Sequence, residues 1–203
     1  MTRLKEVGIR NPGDYISFHA LRTHSYLNNV PITELIYVHS KLLIADDRVV
    51  ICGSANINDR SMIGKRDSEI AALITDNEFE DGRMNGNKFP SGVFAGRLRK
   101  FLFKEHLGLL EPDADRMPID VTDPVTDQFW NGLWKRISTR NTTIYDEVFR
   151  CIPNDNVKTF AHFRKYQEES PPLTKTDPDL ATKRILNIQV KGIIKDFCYK
   201  VLH

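Results

Sequence analysis

The stretch that decides the fold runs from residue 35 to residue 56, Leu-Ile-Tyr-Val-His-Ser-Lys-Leu-Leu-Ile-Ala-Asp-Asp-Arg-Val-Val-Ile-Cys-Gly-Ser-Ala-Asn. Apolar residues run from Leu35 to Val38, continue from Leu42 to Ile44, stop at Asp46-Asp47-Arg48 and resume from Val49 to Cys52. Two β-rich runs around a short polar turn predict a hairpin, apolar enough to be buried on both faces. His39 and Lys41 stand two apart on the first run, so their side chains fall on the same side of a strand. Asp46 sits at the turn. Gly53, Ser54 and Asn56 follow the returning run, so the hairpin carries them back beside His39 and Lys41.

Outward from the hairpin, Ile70–Thr75 predicts a third strand, and the polar, glycine-containing segment from Asp76 to Ser91 predicts a surface loop. Beyond it the period changes. Val93, Phe94, Leu98, Phe101, Leu102 and His106 recur at helical spacing. Phe129, Trp130, Leu133, Trp134 and Ile137 form a second helical stripe entered through Asp127, and short helices are predicted over Ile144–Phe149 and Asp155–Tyr166. Three prolines between Glu168 and Leu180 predict an extended connection. Leu186, Ile188 and Val190 alternate with polar residues as a strand does. The expected class is α/β, a mixed β-sheet flanked by helices followed by a mainly helical C-terminal extension.

The composition excludes several functions before any motif is read. The 203 residues carry 40% hydrophobic and 28% charged side chains, enough to bury a core. Lys and Arg number 29 against 27 Asp and Glu, and the two halves of the chain are equally balanced, so the basic stripe of a nucleic-acid binder is missing. No apolar run is long enough for a transmembrane helix, and the first ten residues lack a signal-peptide core. Three widely spaced cysteines, Cys52, Cys151 and Cys198, suit a reducing compartment rather than a disulfide framework.

The chemistry lies in the string His39-x-Lys41-x4-Asp46-x6-Gly53-Ser54-x-Asn56. His, Lys and Asp at this spacing arise by chance in roughly 1% of chains this size, and the full string in about one in a million. The set suits a phosphodiester. An imidazole attacks phosphorus or protonates a leaving oxygen near neutral pH. A lysine ammonium and an asparagine amide bind non-bridging oxygens and offset the charge that grows in the transition state. Ser54 adds a donor. The spacing of a zinc site is absent, so no metal is expected. A catalytic histidine needs an orienting acceptor, which the Asp67-Ser68-Glu69 segment offers. The alternatives remain open at this point. Asp46 is equally a turn residue accepting backbone hydrogen bonds, and Glu69 equally a surface partner of Lys65 or Arg66. The Arg97-Leu98-Arg99-Lys100 cluster reads as a solvated helix face before it reads as a lipid contact, and Trp130 and Trp134 read as core anchors.

The string resembles the HKD motif of the phospholipase D superfamily. The longer stretch from Thr33 to Ile70 is similar to the second HKD motif of eukaryotic, PX- and PH-domain-containing phosphatidylcholine-hydrolysing phospholipases D. Leu21-Arg22-Thr23-His24, Phe94-Ala95 with Leu98-Arg99, His106-Leu107-Gly108 and Asn141-x-Thr143-Ile144-Tyr145 extend the likeness over most of the chain, fading after Gly192.

The resemblance implies one HKD half of a two-lobed fold, with a second HKD catalytic half-domain over residues 1–111 and a C-terminal extension over residues 112–203. It implies cleavage of phosphatidylcholine to phosphatidic acid and choline, or transfer to primary alcohols, through a phosphohistidine. His39 is then the general acid/base, with Lys41, Ser54 and Asn56 on the phosphate. Glu69 is the acceptor orienting the histidine, with Asp67 beside it, and Asp46 is the motif aspartate. No cofactor is implied for the chemistry. The implied partners are a phosphatidylcholine membrane surface, met peripherally from the cytosol, a phosphoinositide activator and small GTPases. The chain holds no second His-x-Lys-x4-Asp, so a missing first HKD half is the remaining partner. A single-motif homodimer and an inactive truncated fragment are the alternatives.

Overall fold

The computed structural model describes residues 2–110, 119–154, 156–169, 171–186, 188 and 192–195. In chain order the elements are α1 (Thr2–Glu6), β1 (His19–Leu27), β2 (Val30–Ile36), β3 (Lys41–Ala45), β4 (Val49–Gly53), α2 (Asp59–Met62), β5 (Ala71–Thr75), β6 (Phe79–Met84), β7 (Asn87–Gly92) and α3 (Val93–His106). There follow α4 (Asp127–Phe129), a π-helical segment (Trp130–Lys135), α5 (Arg136–Phe149), α6 (Phe160–Glu169), α7 (Leu173–Thr176), α8 (Pro178–Leu186) and β8 (Gly192–Lys195). The chain is a mixed α/β protein whose described C-terminal part is mainly helical. It divides into two compact units, Met1–Ile36 with Lys135–His203, and Tyr37–Trp134. The division at residues 111 and 112 expected from the sequence falls outside the described residues, as does Cys198.

In the first unit β1 pairs antiparallel with β2, and β8 pairs antiparallel with the other edge of β1. Asn28 and Asn29 both take positive φ at the β1–β2 turn, which suits the asparagine side chain better than most. The core is built from Ile144, Tyr145 and Val148 of α5, Cys151, Ala181 and Ile185 of α8, and Ile188. Tyr145 Oη lies 3.0 Å from His24 Nδ1 of β1, and Arg22 donates to the Ile152 carbonyl at 3.2 Å. The predicted helices over 129–137 and 144–149 are one continuous helical stretch, since residues between them, such as Ser138 and Asn141, are buried and helical too.

The predicted extended connection through Glu168–Leu180 is corrected: α7 and α8 occupy most of it. Pro172 caps α7 and Pro178 is the first residue of α8, positions where the missing proline N–H costs nothing. Leu186, predicted as strand, is the last residue of α8. Asn187, Gln189, Val190 and Lys191 of the same prediction fall outside the described residues.

In the second unit β3, β4 and β5 form an antiparallel sheet in that order, with Lys41 opposite Gly53 and Val50 opposite Ile74. Asp46 and Asp47 both have φ of 51° at the tight turn. The expectation of a hairpin buried on both faces is corrected, and Leu35 and Ile36 belong to β2 instead. Val50 is buried, but Leu42, Leu43, Ile51 and Leu73 are exposed. Apolar content reports what a strand is able to bury, not what covers it within one chain.

The predicted loop Asp76–Ser91 is also corrected. Apart from its first residues it is the β6–β7 hairpin, with Phe79 opposite Gly92. Its turn is Asn85-Gly86, with φ of 53° and 78°, the dipeptide that the right-handed strand twist favours. Asp76 accepts from the Phe94 and Ala95 backbone N–H groups and so caps α3 at 2.9 and 2.8 Å.

Arg99 of α3, predicted to be solvated, is buried. It makes paired bonds of 2.8 and 2.6 Å to the buried Asp47 carboxylate and further bonds to the carbonyls of Val121 and Thr122. Its neighbours Arg97 and Lys100 both hold Glu80 of β6. These two charges keep the Glu80 carboxyl below its ordinary value. Phe103, Phe129 and Trp134 complete the packing, with ring centroids 4.7 to 5.8 Å apart.

Candidate active site

The site is built at the end of the β3–β4–β5 sheet, wholly within the second unit. His39 lies just before β3, not on a strand as predicted, while Lys41 is the first residue of β3. The two still meet. Lys41 Nζ donates to the His39 carbonyl at 2.6 Å and stands 3.2 Å from His39 Nε2. The Tyr37 ring lies 6.0 Å from the imidazole, tilted by 30°.

Gly53 faces Lys41 across the ladder, and its backbone runs so close to β5 that a Cβ there would stand 2.5 Å from the Ile70 carbonyl oxygen and 2.6 Å from Ala71 Cβ. Only glycine fits. The next residue, Ser54, is fixed on three sides: its N–H donates to the Ile70 carbonyl, its Oγ accepts from the Ile70 N–H at 3.0 Å, and the same hydroxyl donates to Glu69 Oε2 at 2.5 Å. His39, Lys41, Cys52, Gly53, Ser54 and Ile70–Ala72 line an open cleft of about 460 Å³.

The structure therefore brings His39, Lys41, Ser54 and Glu69 to one place, with Glu69 in a different posture from the one expected. Its carboxylate accepts from Ser54 rather than from the imidazole, and no ion pair with Lys65 or Arg66 occurs among the described residues. The Ser54 hydroxyl and then the Ser61 hydroxyl hold its carboxyl below the usual value against a small desolvation penalty, helped by the charges of Lys41 and Arg60. Asp67 pairs with Arg60 at 3.0 Å.

Asp46 is not part of the cleft. It lies at the turn, the far end of a five-residue strand from Lys41, about 16 Å along the chain at strand rise. The buried charge pair at that turn is made by its neighbour Asp47, which holds Arg99. Asn56 follows the cleft wall by two residues, and its backbone N–H donates to Ser61 Oγ at 3.1 Å.

Sequence reasoning passed over Asp47, Tyr37 and Ser61, and read Arg99 as solvated. For Tyr37 the signal was present, an aromatic two residues before the histidine. For Asp47 and Arg99, 52 positions apart, nothing local announced the pair. Among the described residues no cluster of three His, Cys, Asp or Glu side chains is placed to hold a metal ion.

The histidine–lysine pair beside a glycine-serine turn coincides with what comparison finds. Residues 17–125 match the family model described as Phospholipase D. The chain is 47% identical to human Phospholipase D1 over 93% of its own length and 17% of that relative. It is 47% identical to bovine Phospholipase D2 over 93% of the chain and 19% of the relative, and 46% identical to Phospholipase D zeta 2 of Arabidopsis thaliana over 74% and 14%. The chain belongs to the phospholipase D family. It spans less than a fifth of the length of these curated relatives. The family match covers β1 to α3, and so includes every residue of the cleft. No helix among the described residues of this phospholipase D family member is long and apolar enough to cross a membrane.

Proposed function

We propose that this chain supplies one of two HKD motifs to a phospholipase D that hydrolyses phosphatidylcholine to phosphatidic acid and choline, and that His39 is its general acid/base. The observation that carries the reading is the convergence of His39 Nε2 and Lys41 Nζ, 3.2 Å apart, on an open cleft walled by Gly53 and Ser54.

A histidine of the other motif attacks phosphorus, forming the P–N bond as the P–O bond to choline breaks. His39 gives its proton to the departing choline oxygen. In the second half-reaction His39 takes a proton from water or a primary alcohol, whose oxygen attacks phosphorus as the P–N bond breaks. The other histidine is then free again, and His39 is protonated for the next turn. Lys41 and Asn56 bind the non-bridging oxygens, where charge accumulates in both transition states, and Ser54, whose N–H and hydroxyl proton go to Ile70 and Glu69, shapes the cleft wall beside them. Glu69 fixes Ser54 so that its hydroxyl oxygen and backbone stay at the cleft wall. The first motif comes from a segment other than this one, because no second His-x-Lys-x4-Asp occurs in the 203 residues.

The same reading makes the enzyme peripheral to the cytosolic face of a membrane, with phosphoinositides and small GTPases as activators. These follow from family resemblance alone.

The test is His39→Asn in the intact gene product, assayed for choline release and for transfer to a primary alcohol. Both activities should fall at least about 100-fold, the usual contribution of a positioned acid or base. A variant that keeps either activity removes His39 from the mechanism.

A further inference from the structure

Tyr37 is the first residue of the second unit and precedes His39 by two positions. Its ring centroid stands 6.0 Å from that of the imidazole, with the two planes tilted by 30°. The residue is 81% exposed, so burial of apolar area does not account for an aromatic ring at this place. What an open aromatic face offers is the negative pole of its quadrupole, which attracts cations and quaternary ammonium groups above all.

The reaction assigned to His39 brings such a cation. A general acid stands within about 3 Å of the oxygen it protonates. In choline only two carbons separate that oxygen from the trimethylammonium. A cation is held by an aromatic face from within about 6 Å of the ring centroid. An imidazole and a phenol ring 6.0 Å apart therefore suit the two ends of one headgroup.

The neighbouring charges favour the same placement. Lys41 Nζ stands 3.2 Å from His39 Nε2 and repels a second cation, while it attracts the phosphate. Along the chain Lys41 and Tyr37 lie two residues to either side of His39, one a cation and the other an aromatic ring. The carboxylates of the segment leading into β5 are already engaged. Glu69 accepts the Ser54 hydroxyl at 2.5 Å, and Asp67 pairs with Arg60 at 3.0 Å.

We propose that Tyr37 is a headgroup-specificity residue, its ring face receiving the quaternary ammonium while His39 protonates the departing oxygen. The inference rests on the reading of this chain as part of a phosphatidylcholine-cleaving enzyme, and its test lets the two fail separately.

The intact gene product is assayed on phosphatidylcholine and on its neutral isostere, a lipid with a tert-butyl group in place of the trimethylammonium, each in the same vesicles. The quantity read is the ratio of kcat/KM for the charged lipid over the neutral one. Tyr37→Leu should lower this ratio about 3- to 30-fold, the range of a cation–ring contact. The change should fall mainly on KM, because the cation is present both before and during bond breaking. Tyr37→Phe keeps the ring face and should keep the ratio. The ratio cancels any loss of folded enzyme, so a leucine variant that folds poorly still reports.

A Tyr37→Leu that loses both lipids alike, or a Tyr37→Phe that lowers the ratio as far as leucine does, overturns the proposal. So does a wild-type enzyme with no preference for the charged lipid. His39→Asn separates the causes and should lose both lipids. If it keeps turnover, or if the wild type cleaves neither lipid, the phosphodiesterase reading fails. If it is inactive while Tyr37→Leu keeps the wild-type ratio, only the role of Tyr37 fails.

Discussion

The two units of this chain are held together by different means. In Met1–Ile36 with Lys135–His203, the centre is apolar: Tyr145, Val148, Ala181 and Ile185 are each 3% exposed or less. In Tyr37–Trp134 the turn of the motif hairpin is tied to α3 by a buried ion pair, Asp47–Arg99, beside the buried Val50, while Leu43 and Leu73 stand more than half exposed on the sheet. The first unit is stabilised by apolar area removed from water, a term that needs only rough complementarity. In the second, an ion pair pins the hairpin turn to α3, and such a pair demands exact partners. A unit that presents chemistry at the open end of a sheet gains from this arrangement, because its turn is fixed without closing the cleft.

The largest expected effect tests that ionic anchor. Asp47→Ala leaves the Arg99 guanidinium buried without its carboxylate and should cost about 3–5 kcal/mol by denaturant unfolding. Changing both residues together, Asp47→Leu with Arg99→Met, should cost much less, since no lone charge is then left inside. If the double variant is as unstable as the single one, the pair is not what matters, and the contrast between the units falls.

Next comes the apolar comparison. Ile185→Ala in the core of the first unit should cost about 2–5 kcal/mol, through lost transfer energy and a cavity. Ile51→Ala on the open sheet, where the side chain is 40% exposed, should cost less than about 1 kcal/mol. Equal costs would mean that the sheet face is covered in solution.

A smaller effect is expected at the β6–β7 turn. Gly86→Ala forces a side chain onto a φ of 78° and should cost about 1–2 kcal/mol. Gly82, within β6, is a poor control because a Cβ there would meet the Phe89 carbonyl at 2.7 Å.

The smallest expected effects are readouts of protonation. Burial pushes the Cys151 thiol up to about 11 from an ordinary 9.0, so at pH 8 an alkylating reagent should label exposed Cys52 well before Cys151, as peptide mapping would report. Because the folded thiol pKa is raised, the unfolded chain loses that proton first. Cys151 therefore contributes stability below the unfolded thiol pKa, and this contribution is lost as pH rises towards the folded value. Glu80 has the opposite sign. Its carboxyl is depressed by Lys100 and Arg97, so its contribution is present above the unfolded carboxylate pKa and fades as pH falls through the folded value. Glu80→Gln should flatten the acid side of the stability curve.

Much of the site was legible in the sequence because hairpin geometry is local. The spacing implied that the hairpin brings Gly53 back beside Lys41, and in the structure the two pair across β3 and β4, Gly53 being the last residue of the strand rather than just past it. The helix over 93–106 was equally plain from its period. The β6–β7 hairpin was hidden by its polar, glycine-bearing composition, although Asn85-Gly86 was the stronger signal and outweighed it. The helices α7 and α8 were hidden because proline reads as a breaker until its position at a helix start is known.

By itself, the sequence determined the motif, its spacing, the turn at Asp46-Asp47 and the position of glycine at residue 53. These depend on backbone torsions and on neighbours within a few positions, which a linear pattern records. Only the tertiary structure decided that Asp47 rather than Asp46 carries a buried charge pair, that Glu69 holds Ser54 rather than His39, and that β8 closes on β1. Each of these is a choice among chemically equivalent partners far apart in the chain. Desolvation and geometry make that choice once the elements have met.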